Sequence, residues 1–289
     1  MKKVVKIGIL LVVIGLIGTV SLLISGVGFK QEEVMEQKEI DGREIQNISI
    51  KTDLANIYLK PVKAEQIYVE IIGKTTRELN TVFSTSTDHR TLEISMEQKR
   101  PWLFNASFGF NSDSLDLHVS LPEKMYNTLN METELGNISS DHKFMAKNAI
   151  FKTDLGNIEL TGFEGEKITA DTSLGDIIIN ELNATFHFQA ETGDIDIYSV
   201  KKLTDTNTIR TEMGDANVTL SQDPQPLNMD LSTELGDINT NLSVTTTVSG
   251  GEALKDITSQ TLKGQYGEVR KNSPSLVITT ELGDITLKK

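Results

Sequence analysis

The sequence predicts an all-β protein, a parallel β-solenoid (β-helix) with rungs of about 20 residues, preceded by one N-terminal transmembrane helix. Three observations predict it. A six-residue motif recurs at a nearly constant interval, alternating apolar and polar residues flank its copies, and the chain opens with a long run free of charge.

The motif reads threonine, an acidic residue, leucine, glycine, Asp or Asn, isoleucine. Its copies are Thr133-Glu134-Leu135-Gly136-Asn137-Ile138, Thr153-Asp154-Leu155-Gly156-Asn157-Ile158, Thr172-Ser173-Leu174-Gly175-Asp176-Ile177 and the looser Ala190-Glu191-Thr192-Gly193-Asp194-Ile195. Thr211-Glu212-Met213-Gly214-Asp215-Ala216, Thr233-Glu234-Leu235-Gly236-Asp237-Ile238 and Thr280-Glu281-Leu282-Gly283-Asp284-Ile285 follow. An early copy, Thr52-Asp53-Leu54-Ala55-Asn56-Ile57, has alanine in the glycine position. From Gly136 to Gly283 the glycines lie 20, 19, 18, 21, 22 and 47 residues apart. The last interval is about two periods, with Leu254-Lys255-Asp256-Ile257 as a degenerate copy inside it. A period near 20 is too short for a helical hairpin and fits one turn of a β-solenoid.

The flanks agree. Alternation with period two marks a strand with one buried face. It predicts Leu155, Ile158 and Leu160 inward, with Asp154, Asn157 and Glu159 outward. The Gly-Asp or Gly-Asn pair marks a tight corner, so the seven glycines are structural turn residues. Stacked at about 4.8 Å, roughly eight rungs in residues 127–289 make a body of about 40 Å. The chain ends at Lys289 directly after the last hexad, which predicts an uncapped last rung and an edge for a second copy.

In chain order, residues 1–6 carry Lys2, Lys3 and Lys6 and form a short cytoplasmic tail by the positive-inside bias. Residues 7–29 contain no charge, and as a helix they reach about 34 Å, enough to cross a hydrocarbon core of about 30 Å. They read as an uncleaved signal-anchor, with a cleaved signal peptide as the alternative. The rest of the chain is then extracytoplasmic, on a single-pass protein of a bacterial cell membrane. Residues 30–45 are polar and rich in Glu and Gln, and read as a juxtamembrane linker. Residues 46–126 alternate at 46–60, 65–72, 91–96 and 114–121, and read either as less regular turns of the same solenoid or as a small β cap. Residues 127–289 are the regular repeats.

Composition excludes several function classes. With 28 Lys+Arg against 41 Asp+Glu the net charge is -13, which argues against a nucleic-acid partner. The absence of cysteine removes disulfides, thiolate metal sites and cysteine nucleophiles. His89, His118, His142 and His187 stand apart, without paired metal-ligand spacing. There is no phosphate-binding glycine loop, dinucleotide fingerprint or nucleophile elbow, so neither an enzyme nor a cofactor is predicted.

Two surface features stand out. The fifth motif position gives a column of Asn56, Asn137 and Asn157, then Asp176, Asp194, Asp215, Asp237 and Asp284; the second position adds a column of mostly Asp and Glu. These columns read as a solvated face, or as a ladder for weak multisite Ca²⁺ binding on the five aspartates. The segment 101–110 holds Trp102, Phe104, Phe108 and Phe110. It reads as a flap over the solenoid, or as an interaction site for lipid headgroups or a membrane partner.

The stretch Leu115-Asp116-Leu117-His118-Val119-Ser120-Leu121-Pro122, followed by repeated T-x-x-G-[DN]-I units, resembles a bacterial β-strand-repeat family named as adhesins. With the single N-terminal span, the resemblance extends to members of the bacillar cell-envelope stress system. It implies a surface module without catalytic residues and a partner among the membrane proteins of that system. An interaction or scaffold role is therefore expected, with a wall- or cation-binding adhesin-type module as the alternative.

Overall fold

The computed structural model describes residues 31–76, 80–99, 114–221, 224–246 and 259–289. The expected membrane run 7–29, the aromatic patch at Trp102, Phe104, Phe108 and Phe110, and the copy at Leu254 to Ile257 lie outside these residues. All regular structure among the described residues is β.

Each rung contributes one strand before the glycine corner and one after it. The corner-preceding strands form one ladder. In spatial order it runs β5 (Asn80–Asp88), β6 (Thr91–Lys99), β2 (Asn47–Thr52), β8 (Tyr126–Leu135) and then the second half of β9 (Ile138–Leu155). It continues through the later parts of β10 (Ile158–Leu174) and β11 (Ile177–Thr192), then β13 (Thr206–Met213), β19 (Ser275–Leu282), β15 (Leu227–Leu235), β18 (Gln260–Tyr266) and β17 (Val244–Thr246).

The corner-following strands form the second ladder. It begins with β1 (Gln31–Asp41), β4 (Gln66–Thr76), β7 (Ser114–Pro122) and β3 (Asn56–Val62). It then passes through the first parts of β9, β10 and β11 to β12 (Ile195–Val200), β14 (Ala216–Leu220), β20 (Ile285–Lys288) and β16 (Ile238–Thr240). The rungs pair in parallel, and antiparallel strands finish the ladders: β1 and β4, β5, and the β17–β18 pair.

Rung order is not chain order. The last rung in sequence, β19 with β20, lies between the rung of β13 and β14 and the rung of β15 and β16. The first rung, β2 with β3, lies between the β6–β7 rung and the β8–β9 rung. The expected uncapped edge at the end of the chain is therefore corrected. The final hexad is interior, and the outermost rung has its β15 edge covered by β18. The 47-residue interval is filled in part by the antiparallel pair β17–β18, because the chain must cross the end of the stack before it returns.

Residues 30–45 also depart from the expected linker. Residues 31–41 are β1, paired along its whole length with β4. The free edge of β4 supplies backbone partners, so the strand needs little apolar surface of its own. Val34 and Ile40 pack against the core, and Lys38 sits 4.0 Å from the ring centroid of Phe83. The described strands within residues 46–126 join the same two ladders as the regular rungs.

Where aromatic rings enter the interior, small side chains lie in register with them or nearby in the same column. Phe151 registers with Ala170 and then Phe188, while Ala149 registers with Ile168 and then Phe186. All six are buried. Rungs about 4.8 Å apart cannot stack bulky rings at every level, so the pattern fills the interior without strain. Ile158 and Leu160 are buried as expected, but Leu155 is not: it is 46% exposed. Thr153 is the last inward residue of its strand, and the chain turns before Leu155 reaches the core.

The corners set the spacing. A Cβ on Gly175 would lie 2.1 Å from the carbonyl oxygen of Gly156, and Gly175 has φ +149. Gly175→Ala therefore meets backbone and left-handed strain together, at a cost of roughly 2–5 kcal/mol. Thermal unfolding should fall by at least about 5 °C in this variant; an unchanged melting temperature would show that the rungs can part at the corner.

Candidate functional site: the glycine corner and its columns

Around each corner the hexad splits its tasks. The threonines of the first position, Thr133, Thr153, Thr172, Thr211, Thr233 and Thr280, are buried. Most donate across to the neighbouring corner: Thr153 Oγ1 to the Gly136 carbonyl at 2.9 Å, Thr172 to Gly156 at 3.0 Å, Thr211 to Gly193 at 3.0 Å and Thr233 to Gly283 at 2.9 Å. A buried hydroxyl needs such a partner. Thr280 instead bonds the carbonyl of its own Gly283.

The fifth position forms a side-chain-to-backbone ladder. The Oδ1 of Asn137 accepts from Asn157 N at 2.8 Å, that of Asn157 from Asp176 N at 2.9 Å, that of Asp176 from Asp194 N at 2.9 Å and that of Asp194 from Asp215 N at 2.8 Å. Asp215 then accepts from Asp284 at 2.7 Å, and Asp284 from Asp237 at 2.8 Å. The ladder starts at Asn56, which accepts from Asn137 N at 2.9 Å and donates to Asp116 at 2.8 Å. At the far end Gln260 stands in for a further rung. Its Nε2 donates to Asp237 Oδ1 at 2.7 Å and its Oε1 accepts from Ile238 N at 3.0 Å.

This accounts for the exchange of Asn and Asp along the column. The corner N–H needs one short side-chain oxygen, and both residues supply it at the same distance from Cβ. A hydrogen bond to a charged acceptor contributes about 1.5–3 kcal/mol. Repulsion between exposed like charges is about 1 kcal/mol in water and is screened by salt. The ladder therefore tolerates its own charge. Restriction of the column to Asn and Asp, without Glu or Gln, was the readable sign of this role.

The structure brings Asp176, Asp194, Asp215, Asp284 and Asp237 into one column, each with Oδ1 engaged by a backbone N–H or, for Asp237, by Gln260. Among the described residues, no three His, Asp or Glu side chains come together as a metal site. All seven corner glycines are described. Each would place a Cβ 2.0–2.1 Å from a corner carbonyl oxygen. Among the described residues Ala55 is the spatially first corner, and the sequence between β6 and β7, in the rung outside it, has no hexad.

The third position was missed as a surface feature. Leu135, Leu155, Leu174, Met213, Leu235 and Leu282 are 37–55% exposed. They follow one another in register as Leu135, Leu155, Leu174, Thr192, Met213, Leu282 and Leu235. The break in alternation at the turn was the available signal.

Other polar groups are absorbed structurally. Tyr58 stacks on His118 at 4.8 Å, and His187 Nδ1 lies 2.8 Å from Thr208 Oγ1, with burial lowering the His187 pKa. Burial raises the pKa of Asp171, partly opposed by Lys152. Hydrogen bonds from Arg43 bring Asp41 down to about 2. Arg43 also lines a shallow depression with Lys63, Glu65, Glu123 and Lys124, and there Lys124 Nζ donates to the Gly42 carbonyl at 2.6 Å.

Among solved structures, a "putative cell adhesion protein" from Clostridium sporogenes is 16% identical, covering 89% of this chain and 99% of its own, with a TM-score of 0.36. A "putative adhesin" from Bacteroides fragilis is 11% identical, covering 89% and 98%, with a TM-score of 0.41. A "putative adhesin" from Parabacteroides distasonis is 11% identical, covering 89% and 97%, with a TM-score of 0.37. No curated protein matches the chain.

The aspartate ladder makes a discriminating prediction. Asp176→Asn keeps the Oδ1 acceptor and should leave thermal stability within about 0.5 kcal/mol, whereas Asp176→Ala should cost about 1 kcal/mol or more. If both variants lose the same stability, charge rather than the acceptor oxygen is what the column supplies. Residues 45–288, which hold the corners and every ladder strand except β1, match the Toastrack DUF4097 family, and the chain belongs to that family.

Proposed function

We propose that this protein is a non-enzymatic interaction scaffold of the bacterial cell surface. Residues 7–29 anchor it in the cytoplasmic membrane, residues 1–6 lie inside, and the solenoid is displayed outside. Within its family it stands with the LiaG-like proteins of the bacillar cell-envelope stress system, which its single N-terminal run and repeat pattern resemble. Its task is to hold a membrane partner of that response when wall-active antibiotics act.

One observation carries the reading. The same outward residues recur at the same corner on consecutive rungs, giving a continuous repeated surface rather than a convergent pocket. Repeat architectures use such surfaces for binding. The carboxylate columns favour a second reading, a wall- or cation-binding adhesin-type module, because an acidic surface on this scale draws cationic material.

In situ crosslinking of the full-length protein in intact cells, read by mass spectrometry with and without a wall-active antibiotic, separates the two. Enrichment of a membrane sensor or its inhibitor is the expected result. Crosslinks confined to wall polymer would overturn the scaffold role and support the adhesin-type module.

A further inference from the structure

We infer that the leucine column is a docking track for a cationic amphipathic helix. This deepens the scaffold reading, on which it rests, by naming the chemistry of the partner.

The column is apolar without a folding reason. Leu135, Leu155, Leu174, Met213, Leu282 and Leu235 are about half exposed at the outside of the turn, while the interior is filled by other residues. Thr192 occupies the same register position between Leu174 and Met213, so the corner itself accepts a polar side chain. Consecutive exposed leucines are therefore not required by the turn. Contiguous exposed apolar surface rimmed by polar groups marks interaction sites.

The rims carry charge of predominantly one sign. The second motif position supplies Glu134, Asp154, Glu191, Glu212, Glu281 and Glu234, interrupted by Ser173, and the fifth supplies Asn137 and Asn157 followed by the five aspartates. Arg210 offsets part of this, lying 3.3 Å from Glu281 and 3.8 Å from Glu212. The carboxylates select the occupant. A second copy facing the same track would set acid against acid, and an anionic lipid surface would be repelled. A helix with an apolar stripe flanked by Lys and Arg satisfies both features.

The spacing also suits a helix. Seven rungs at about 4.8 Å reach about 29 Å from first to last. A helix of about 20 residues spans about 30 Å, and its 5.4 Å pitch keeps successive turns near successive rungs. Apolar residues at i, i+3, i+4 and i+7 would then meet the column while basic residues reach both rims.

The test uses the full chain in zwitterionic phospholipid nanodiscs and a fluorescent 20-residue amphipathic peptide of leucine and lysine, with empty nanodiscs subtracted. Saturable binding is expected, weakening as salt rises from 50 to 300 mM. Leu155→Thr with Leu174→Thr should weaken it at least about tenfold while the melting temperature is kept, as Thr192 shows threonine to be compatible with the corner. Asp194→Asn with Asp215→Asn retains the Oδ1 acceptors and should reduce affinity and salt dependence together. Absence of peptide binding, or binding left unchanged by either double variant, would overturn the inference. So would concentration-dependent self-association abolished by the leucine variant, or binding of the protein to anionic vesicles through the same residues. Because the measurement uses purified protein, its failure leaves the cellular crosslinking result to stand or fall separately.

Discussion

The close approach of one corner to the next is the constraint on which the rest of the structure depends. With glycine there, the carbonyl of the neighbouring corner lies where a Cβ would be, 2.0–2.1 Å away at all seven positions. Strands on both sides of the turn can then stay in register, and the corner N–H groups find partners. Gly156 N bonds the carbonyl of Leu174 at 2.9 Å, while Asp176 N bonds the side chain of Asn157 at 2.9 Å. Without that contact the two ladders would diverge at the turn and leave buried backbone groups unpaired.

The corner is also indifferent to sequence order. Each described hexad offers a corner carbonyl and a fifth-position side-chain oxygen, and all but the copy at Ala190 a first-position threonine hydroxyl, so hexads can stack irrespective of their order in the chain. This lets β19 and β20 enter between two earlier rungs. The ends are distinguished by what replaces a neighbour: Ala55 in the first corner, and Gln260 bonding to Asp237 and Ile238 in the last. Nonlocal insertion of this kind raises the loop-closure cost of folding, which a repeat stacked in chain order avoids.

These features explain which parts of the structure were legible in the sequence. The hexad and the period-two flanks revealed a β-solenoid because they are local signals, and Ile158 and Leu160 are buried as alternation requires. Leu155 broke the rule because alternation holds only while the backbone stays extended. The order of the rungs was illegible because near-identical corners carry no address. β1 was read as a linker because its stability comes from the open edge of β4, a property of the partner and not of residues 31–41. The Asn-to-Asp change along the column follows from the acceptor oxygen that both residues supply. The same corner thereby leaves leucine and carboxylate columns side by side on the surface.

The chain has no cysteine, so the rung order can be tested with introduced pairs. Full-length protein carrying Met213→Cys with Leu282→Cys is compared with protein carrying Met213→Cys with Leu235→Cys under mild oxidation. Residues 213 and 282 face each other across adjacent strands, and 282 in turn faces 235. Adjacent rungs lie within the Cα separation that a disulfide tolerates, and rungs two steps apart, at about 9.6 Å, do not. The account predicts rapid disulfide formation in the 213/282 pair and none in the 213/235 pair. A bridge between 213 and 235, with 213/282 remaining reduced, would show the rungs stacked in chain order and contradict it.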